Sequence, residues 1–317
     1  MLDDPKLKGQ AKEVGFMLGL NPLSVEKDFY VTKAIYAMTR VESDYFALIF
    51  QGGTSLSKAY QIIQRLSEDI DFRVIQKPAG LKLGKNARRD RLREFRYALV
   101  DALIQAQFEI PKEAVKVFFE GRFMKITAKF DGGENMTYLK PHIAVECFLG
   151  DIKLQPNTRE VTTLIKLTLG KECEHISFPV VCVALDETAA EKWVALTRRV
   201  ANSAIRFRQS DKHLVRHIYD LFNLKTKQYL TGEYISLIDD IMEKDRVQFN
   251  KYNADYTENP MAVSESALAI LNNDSQWKDH WNYFLTQMVY DEHKPEFDVA
   301  YLELQKFSQP IFNALLA

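Results

Sequence analysis

The segment Phe50-Gln51-Gly52-Gly53-Thr54-Ser55-Leu56-Ser57-Lys58, followed closely by Arg65-Leu66-Ser67-Glu68-Asp69-Ile70-Asp71-Phe72, constrains this chain more than any other. It reads as a strand, a tight glycine turn, a helix and a second strand bearing two aspartates. Asp69 and Asp71 are spaced i,i+2, so on a strand both carboxylates leave one face, while Ile70 and Phe72 anchor the other in a core. Their Cα atoms then lie roughly 6.6 Å apart, at about 3.3 Å rise per residue. That spacing suits two carboxylates converging on one or two Mg²⁺ ions. A glycine turn that opens a helix offers backbone N–H groups to a phosphate. Gly52, Gly53, Thr54 and Ser55 form this cradle, and Lys58 follows one turn later. A plain N-cap at Thr54 competes for the same N–H groups. A phosphate cradle beside paired carboxylates is what nucleotidyl transfer requires.

The wording GGTSLSKAY…RLSEDIDF resembles the AbiEii/AbiGii group of the DNA polymerase beta-like nucleotidyltransferases, which includes MenT-like toxins of abortive-infection and toxin–antitoxin systems. The resemblance is close over this motif and continues more weakly to about residue 225. It implies a Mg²⁺-dependent transfer of an NMP unit from an NTP, with release of pyrophosphate, to an RNA acceptor, the tRNA 3′ end. It also implies a cognate antitoxin.

Composition is that of an ordinary globular protein, 46% hydrophobic and 27% charged. The formal net charge of -1 supplies no global field for nucleic acid or an anionic membrane, so RNA contact needs a local patch. Cys147, Cys173 and Cys182 show neither CxxC nor zinc spacing and read as reduced core residues of a cytoplasmic protein. Met1-Leu2-Asp3-Asp4-Pro5 lacks the basic and apolar regions of a signal peptide, and no apolar run is long enough to span a membrane.

Hydrophobic periodicity predicts a helix over 24–40, capped by Ser24, with a stripe of Phe29, Val31, Ala34, Ile35 and Met38. Strands are expected over 45–50, 69–75, 115–119, 123–130 and 143–149, and a helix over 87–107. From about residue 185 the pattern turns helical. Asp186 is placed to cap a helix that buries Ala189, Trp193, Leu196 and Val200, and Ser210 or Asp211 to open another that buries Leu214, Ile218 and Leu221. The expected fold is therefore α+β: a mixed-sheet nucleotidyltransferase lobe over 1–185 and an all-helical lobe over 186–317.

Further residues carry the expected chemistry. Glu146 alternates against Ile143, Val145 and Cys147, so it is either a third metal ligand or the partner of a lysine such as Lys140 or Lys153. Lys192 and Arg199 lie on one helix face. The segment Glu187–Lys192 resembles the family's second motif, whose lysine contacts the triphosphate; a solvated face is the alternative. Arg216-His217-Ile218-Tyr219-Asp220-Leu221 resembles a later motif with an active-site aspartate. Asp220 is then a general base, or it positions Lys192 or Arg216, or it forms an ordinary i,i+4 pair with Arg216.

Seven basic residues crowd between Lys82 and Arg96, against only Asp90 and Glu94. They form either an RNA-backbone grip near the catalytic strand or a solvated helix face. Ser67 shares the face of Asp69 and is a candidate regulatory site, where an added phosphate would compete with the nucleotide. A protein side chain or a small molecule is the alternative acceptor, and an inactive nucleotide-binding scaffold is the rival without catalysis.

Overall fold

A computed structural model describes residues 4–135, 139–170, 175–205, 211–249 and 254–315. The chain divides into two compact units, Met1–Val183 and Ala184–Ala317.

The first unit contains helices α1 (Pro5–Leu18), α2 (Pro22–Thr39), α3 (Gly52–Lys58), α4 (Pro78–Leu81), α5 (Lys85–Gln105) and α6 (Leu164–Leu169). Its strands are β1 (Phe46–Gln51), β2 (Asp69–Gln76), β3 (Val115–Phe118), β4 (Phe123–Lys129), β5 (His142–Leu149), β6 (Asn157–Thr162) and β7 (Ser177–Cys182). They form one mixed sheet in the order β3-β4-β5-β2-β1-β7-β6. β2 runs antiparallel to β1 and parallel to β5, and β5 runs antiparallel to β4.

Strict alternation gives this sheet two unlike faces. One buries Phe50, Ile70, Phe72, Val145, Cys147 and Ile126 against Val31, Ile35 and Met38 of α2 and Phe95 and Leu99 of α5. The other carries the polar residues of the same strands. Ser24 does not cap α2. Asn21 does, accepting from Leu23 N, because Pro22 presets the first helical φ one turn earlier. β6 and β7 have no counterpart in the sequence reading.

The second unit contains α7 (Leu185–Ile205), α8 (Val215–Thr226), α9 (Tyr234–Phe249), α10 (Ala254–Glu258), α11 (Pro260–Asn273), α12 (Gln276–Met288) and α13 (Phe297–Leu315). Ala189, Trp193, Leu196 and Val200 of α7 are fully buried, as their spacing predicts. Asp186 has a different job from the expected one. It lies in the first turn of α7 and accepts from the N–H groups of Thr231, Gly232 and Tyr234, where α9 begins. Ser210 lies outside the described residues; α8 starts at Val215, and Asp211 accepts from His213 N just before it.

Candidate active site

The glycine turn and the acidic strand meet on the polar face of the sheet. Gln51 pairs with Asp71 across β1 and β2, and Asp71 pairs with Glu146 across β2 and β5. Paired residues point to the same side, so Asp69, Asp71 and Glu146 share one face. Gly52 follows Gln51 with φ 78°, a left-handed conformation that glycine adopts freely. A Cβ there would overlap Oδ2 of Asp71, so the absent side chain is what admits the carboxylate to the turn. Gln51 Oε1, beside Asp71, is buried without a hydrogen-bond partner.

Each outer carboxylate is held by a lysine. Lys140 Nζ lies 2.9 Å from Asp69 Oδ1, and Lys125 Nζ lies 2.7 Å from Glu146 Oε1. The hydrogen bond from Lys125 to Glu146 raises the pKa of that ammonium and keeps it charged. The partner of Glu146 is therefore Lys125, rather than the Lys140 or Lys153 considered from sequence. Register explains it: Lys125 stands directly opposite Glu146 on β4. As they stand, no three His, Cys, Asp or Glu side chains among the described residues are gathered closely enough to hold a metal ion. The donor set on this face is nonetheless all carboxylate oxygen from adjacent strands, the chemistry a hard cation such as Mg²⁺ takes.

The cradle residues are placed less simply than the motif suggests. Thr54 is buried; its hydroxyl donates to the carbonyl of Asp69 and lies 2.5 Å from Ser67 Oγ. Ser55 is buried, with its hydroxyl on Gly52 O at 2.9 Å. The Thr54 hydroxyl thus braces the turn against β2, with Ser67 part of that brace, while the Ser55 hydroxyl closes the turn on itself. Gln51 makes no side-chain cap to α3. The ammonium of Lys58 is buried against Asp28 Oδ1 at 2.5 Å, and Asp28 Oδ2 also accepts from Leu164 N. Lys58 thus ties α3 to α2 and to the start of α6. Burial lowers its pKa, and Asp28 opposes that shift.

Sequence reasoning missed the residues beneath Lys140. Glu68 Oε1 accepts from Lys140 N at 2.6 Å and from Lys27 Nζ at 3.1 Å, and Lys27 Nζ also donates to Lys140 O at 2.8 Å. Desolvation lowers the pKa of Lys27, with Glu68 the chief opposing influence. One signal was available: Lys27 stands four residues before Val31, on the buried stripe of α2, where an unpaired charge would be costly.

The basic stretch is not near the carboxylates of the acidic strand. α5 packs on the apolar face of the sheet, opposite the carboxylates. Arg91 lies over the Tyr45 ring, next to Phe46, which pairs with Gln76 at the far end of β2 from Asp69. The span from Asp69 to Gln76 is about 23 Å at strand rise. Several of these arginines pair along their own helix, Arg91 with Glu94 and Arg93 with Asp90.

In the second unit, Lys192 Nζ lies 2.7 Å from Asp220 Oδ2, and the two side chains are 9% and 0% exposed. Neither residue lies on a solvated face. The expectation that Asp220 positions Lys192 matches this pair. Arg216 donates to His213 Nδ1 at 2.9 Å. Arg199 pairs with Asp211. Among the cysteines, Cys147 and Cys182 are buried free thiols. Burial raises both, Cys182 to about 12, so neither is a ready nucleophile. Cys173 lies outside the described residues.

Residues 36–303 match the family model for the nucleotidyl transferase AbiEii toxin of type IV toxin–antitoxin systems. The chain belongs to the AbiEii family. It is a nucleotidyltransferase toxin, and membership implies an NTP substrate and an antitoxin partner. The match runs well past residue 225, where the motif resemblance fades, so most of the helical unit belongs to the family pattern. No curated protein matches the sequence. Among solved structures, MenT4, a nucleotidyltransferase toxin of Mycobacterium tuberculosis H37Rv, is similar to this AbiEii chain with a TM-score of 0.40 and 17% identity, over 93% of this chain and 98% of that one. No described helix is long and apolar enough to cross a membrane.

Proposed function

We propose that this AbiEii toxin transfers an NMP unit from an NTP, with Mg²⁺, to the 3′ end of tRNA in the cytoplasm. The observation that carries the nucleotide half is the seating of the Asp71 carboxylate against Gly52, which brings the glycine turn and the acidic strand to one place. Asp69 and Asp71, with Glu146 beside them, would hold Mg²⁺, which when bound neutralises triphosphate charge and helps align the attacking oxygen.

The protein's own groups do the positioning, which is most of the work in this chemistry. Thr54 pins the turn to the Asp69 backbone and so fixes where the carboxylates stand relative to the turn's N–H groups. Gly53 and its neighbours offer those N–H groups to phosphate oxygens. Asp220 orients Lys192, and the resemblance of Glu187–Lys192 to the family's second motif assigns that ammonium to the triphosphate. Arg199, two helical turns on from Lys192 and on the same face, is assigned to the nucleotide beside it.

The tRNA acceptor rests on the family resemblance, because the basic helix that pointed to RNA lies away from the carboxylates. Incubation with each α-labelled NTP, Mg²⁺ and total cellular RNA tests the reading. It predicts label in the tRNA band, and none when the RNA's 3′ ends are oxidised with periodate before the reaction. Label on protein or on a small molecule would replace the acceptor, and no label with any NTP would favour a non-catalytic scaffold.

A further inference from the structure

The polar face of the sheet already holds two cations of its own. Lys140 sits on Asp69, and Lys125 sits on Glu146, with all four side chains between 32% and 42% exposed. They arrive by different devices. Lys125 is delivered by strand register. Lys140 is delivered by a clamp: Glu68 takes its N–H, Lys27 takes its carbonyl, and the two clamp residues bond to each other. The clamp side chains are only 1% and 5% exposed. An ion pair this buried is expensive to desolvate, and a pair of well-packed apolar residues would fill the same space at less cost. What the charged pair adds is a grip on both polar groups of one peptide residue, the one whose ammonium reaches Asp69.

A lysine ammonium can neutralise a carboxylate but cannot share its place with a divalent cation, because the two positive charges repel at contact distance. We propose that Lys140 and Lys125 are resident cations of the carboxylate face, which leave Asp69 and Glu146 when a divalent cation binds and pass to the phosphates of the nucleotide that arrives with it. This rests on the reading of Asp69 and Asp71 as metal-holding residues. No bond is made or broken; two ion pairs exchange partners. Metal alone must displace ammonium groups that then have only water to face. Metal with a triphosphate gives them anionic oxygens. Nucleotide therefore tightens metal binding, and by reciprocity metal tightens nucleotide binding to the same degree. Lys140 and Lys125 are positioning residues in this scheme, and Lys27 and Glu68 hold the first of them in reach.

The test is a Mn²⁺ titration of the full chain followed by electron paramagnetic resonance of the free ion, with and without an α,β-methylene NTP. In the wild type the analogue should tighten Mn²⁺ about tenfold or more. Lys140→Gln should bind Mn²⁺ alone several-fold more tightly than wild type, yet bind the analogue more weakly at saturating Mn²⁺, with Tm nearly unchanged. Lys125→Gln should move the same way. Opposite changes in the two affinities cannot come from a damaged fold. If both variants bind Mn²⁺ and analogue as wild type does, or bind both more weakly, the inference is overturned. Asp71→Asn separates this from the reading beneath it. Loss of Mn²⁺ binding there, with silent lysine variants, removes only the lysine exchange. Mn²⁺ binding that ignores Asp71, or is absent from every form, removes the metal assignment and the exchange with it.

Discussion

The ammonium of Lys192 lies 2.7 Å from Oδ2 of Asp220, and the carboxylate has no solvent exposure at all. A lysine on an exposed helix face could be removed with little effect on stability, but this one cannot. Lys192→Ala breaks this buried ion pair, which costs about 3–5 kcal/mol. Denaturant unfolding should show that loss for Lys192→Ala and a similar one for Asp220→Ala. The pair Lys192→Met with Asp220→Leu should recover most of the stability. If the pair also serves the nucleotide, that stable double variant remains inactive. A double variant with near-normal turnover would make the pair purely structural.

Gly52 gives a sharper test of the turn. Its φ of 78° costs an alanine about 1–2 kcal/mol. The added methyl would also push on Asp71. Gly52→Ala should therefore lower kcat/KM far more than the stability loss explains. Gly19→Ala is the control. It has the same kind of backbone, with φ 64° and open space at its Cβ, so it should lose stability while keeping activity.

The Lys27–Glu68 pair should behave as a buried structural element that also serves the carboxylate face. Lys27→Ala should destabilise the chain by about 3–5 kcal/mol, because it breaks a buried ion pair and removes a donor to Lys140 O. Hydrogen exchange should then rise at the Lys140 amide, which donates to Glu68. A Lys140 amide that stays as protected as in wild type would contradict the clamp.

The arginines of α5 give the opposite expectation. Arg89→Ala and Arg93→Ala lie on a half-exposed surface with acids on the same helix. Each should change stability by less than about 0.5 kcal/mol and leave transfer to RNA unchanged. A tenfold loss of RNA labelling, with normal nucleotide binding, would restore this helix as an RNA grip.

How far the sequence could be read depended on the range of each cause. Asp69 and Asp71 sharing a face follows from strand alternation alone, and the buried stripe of Ala189, Trp193, Leu196 and Val200 follows from helical period. Both are local. Glu146 was legible as a polar residue on the right face, but its partner Lys125 was not, because cross-strand register is a property of the assembled sheet. Lys58 was legible as a cation one turn past the glycines, but its contact with Asp28, thirty residues earlier in the chain, was not. Asp186 looked like a cap for its own helix and serves the start of another. The basic stretch was visible as composition, but only the packing of Phe95 and Leu99 on the apolar face shows which side of the sheet it occupies.

The central claim is that the paired aspartates on β2 perform nucleotide transfer. The most direct measurement compares wild type with Asp71→Ala for transfer of α-labelled NMP to RNA in Mg²⁺, with Tm and circular dichroism recorded on the same samples. The account predicts label in tRNA for the wild type, and for Asp71→Ala no label above background with the fold intact and the Tm equal or slightly raised, since two neighbouring carboxylates repel when no cation is bound. An Asp71→Ala protein that labels RNA at the wild-type rate would contradict it.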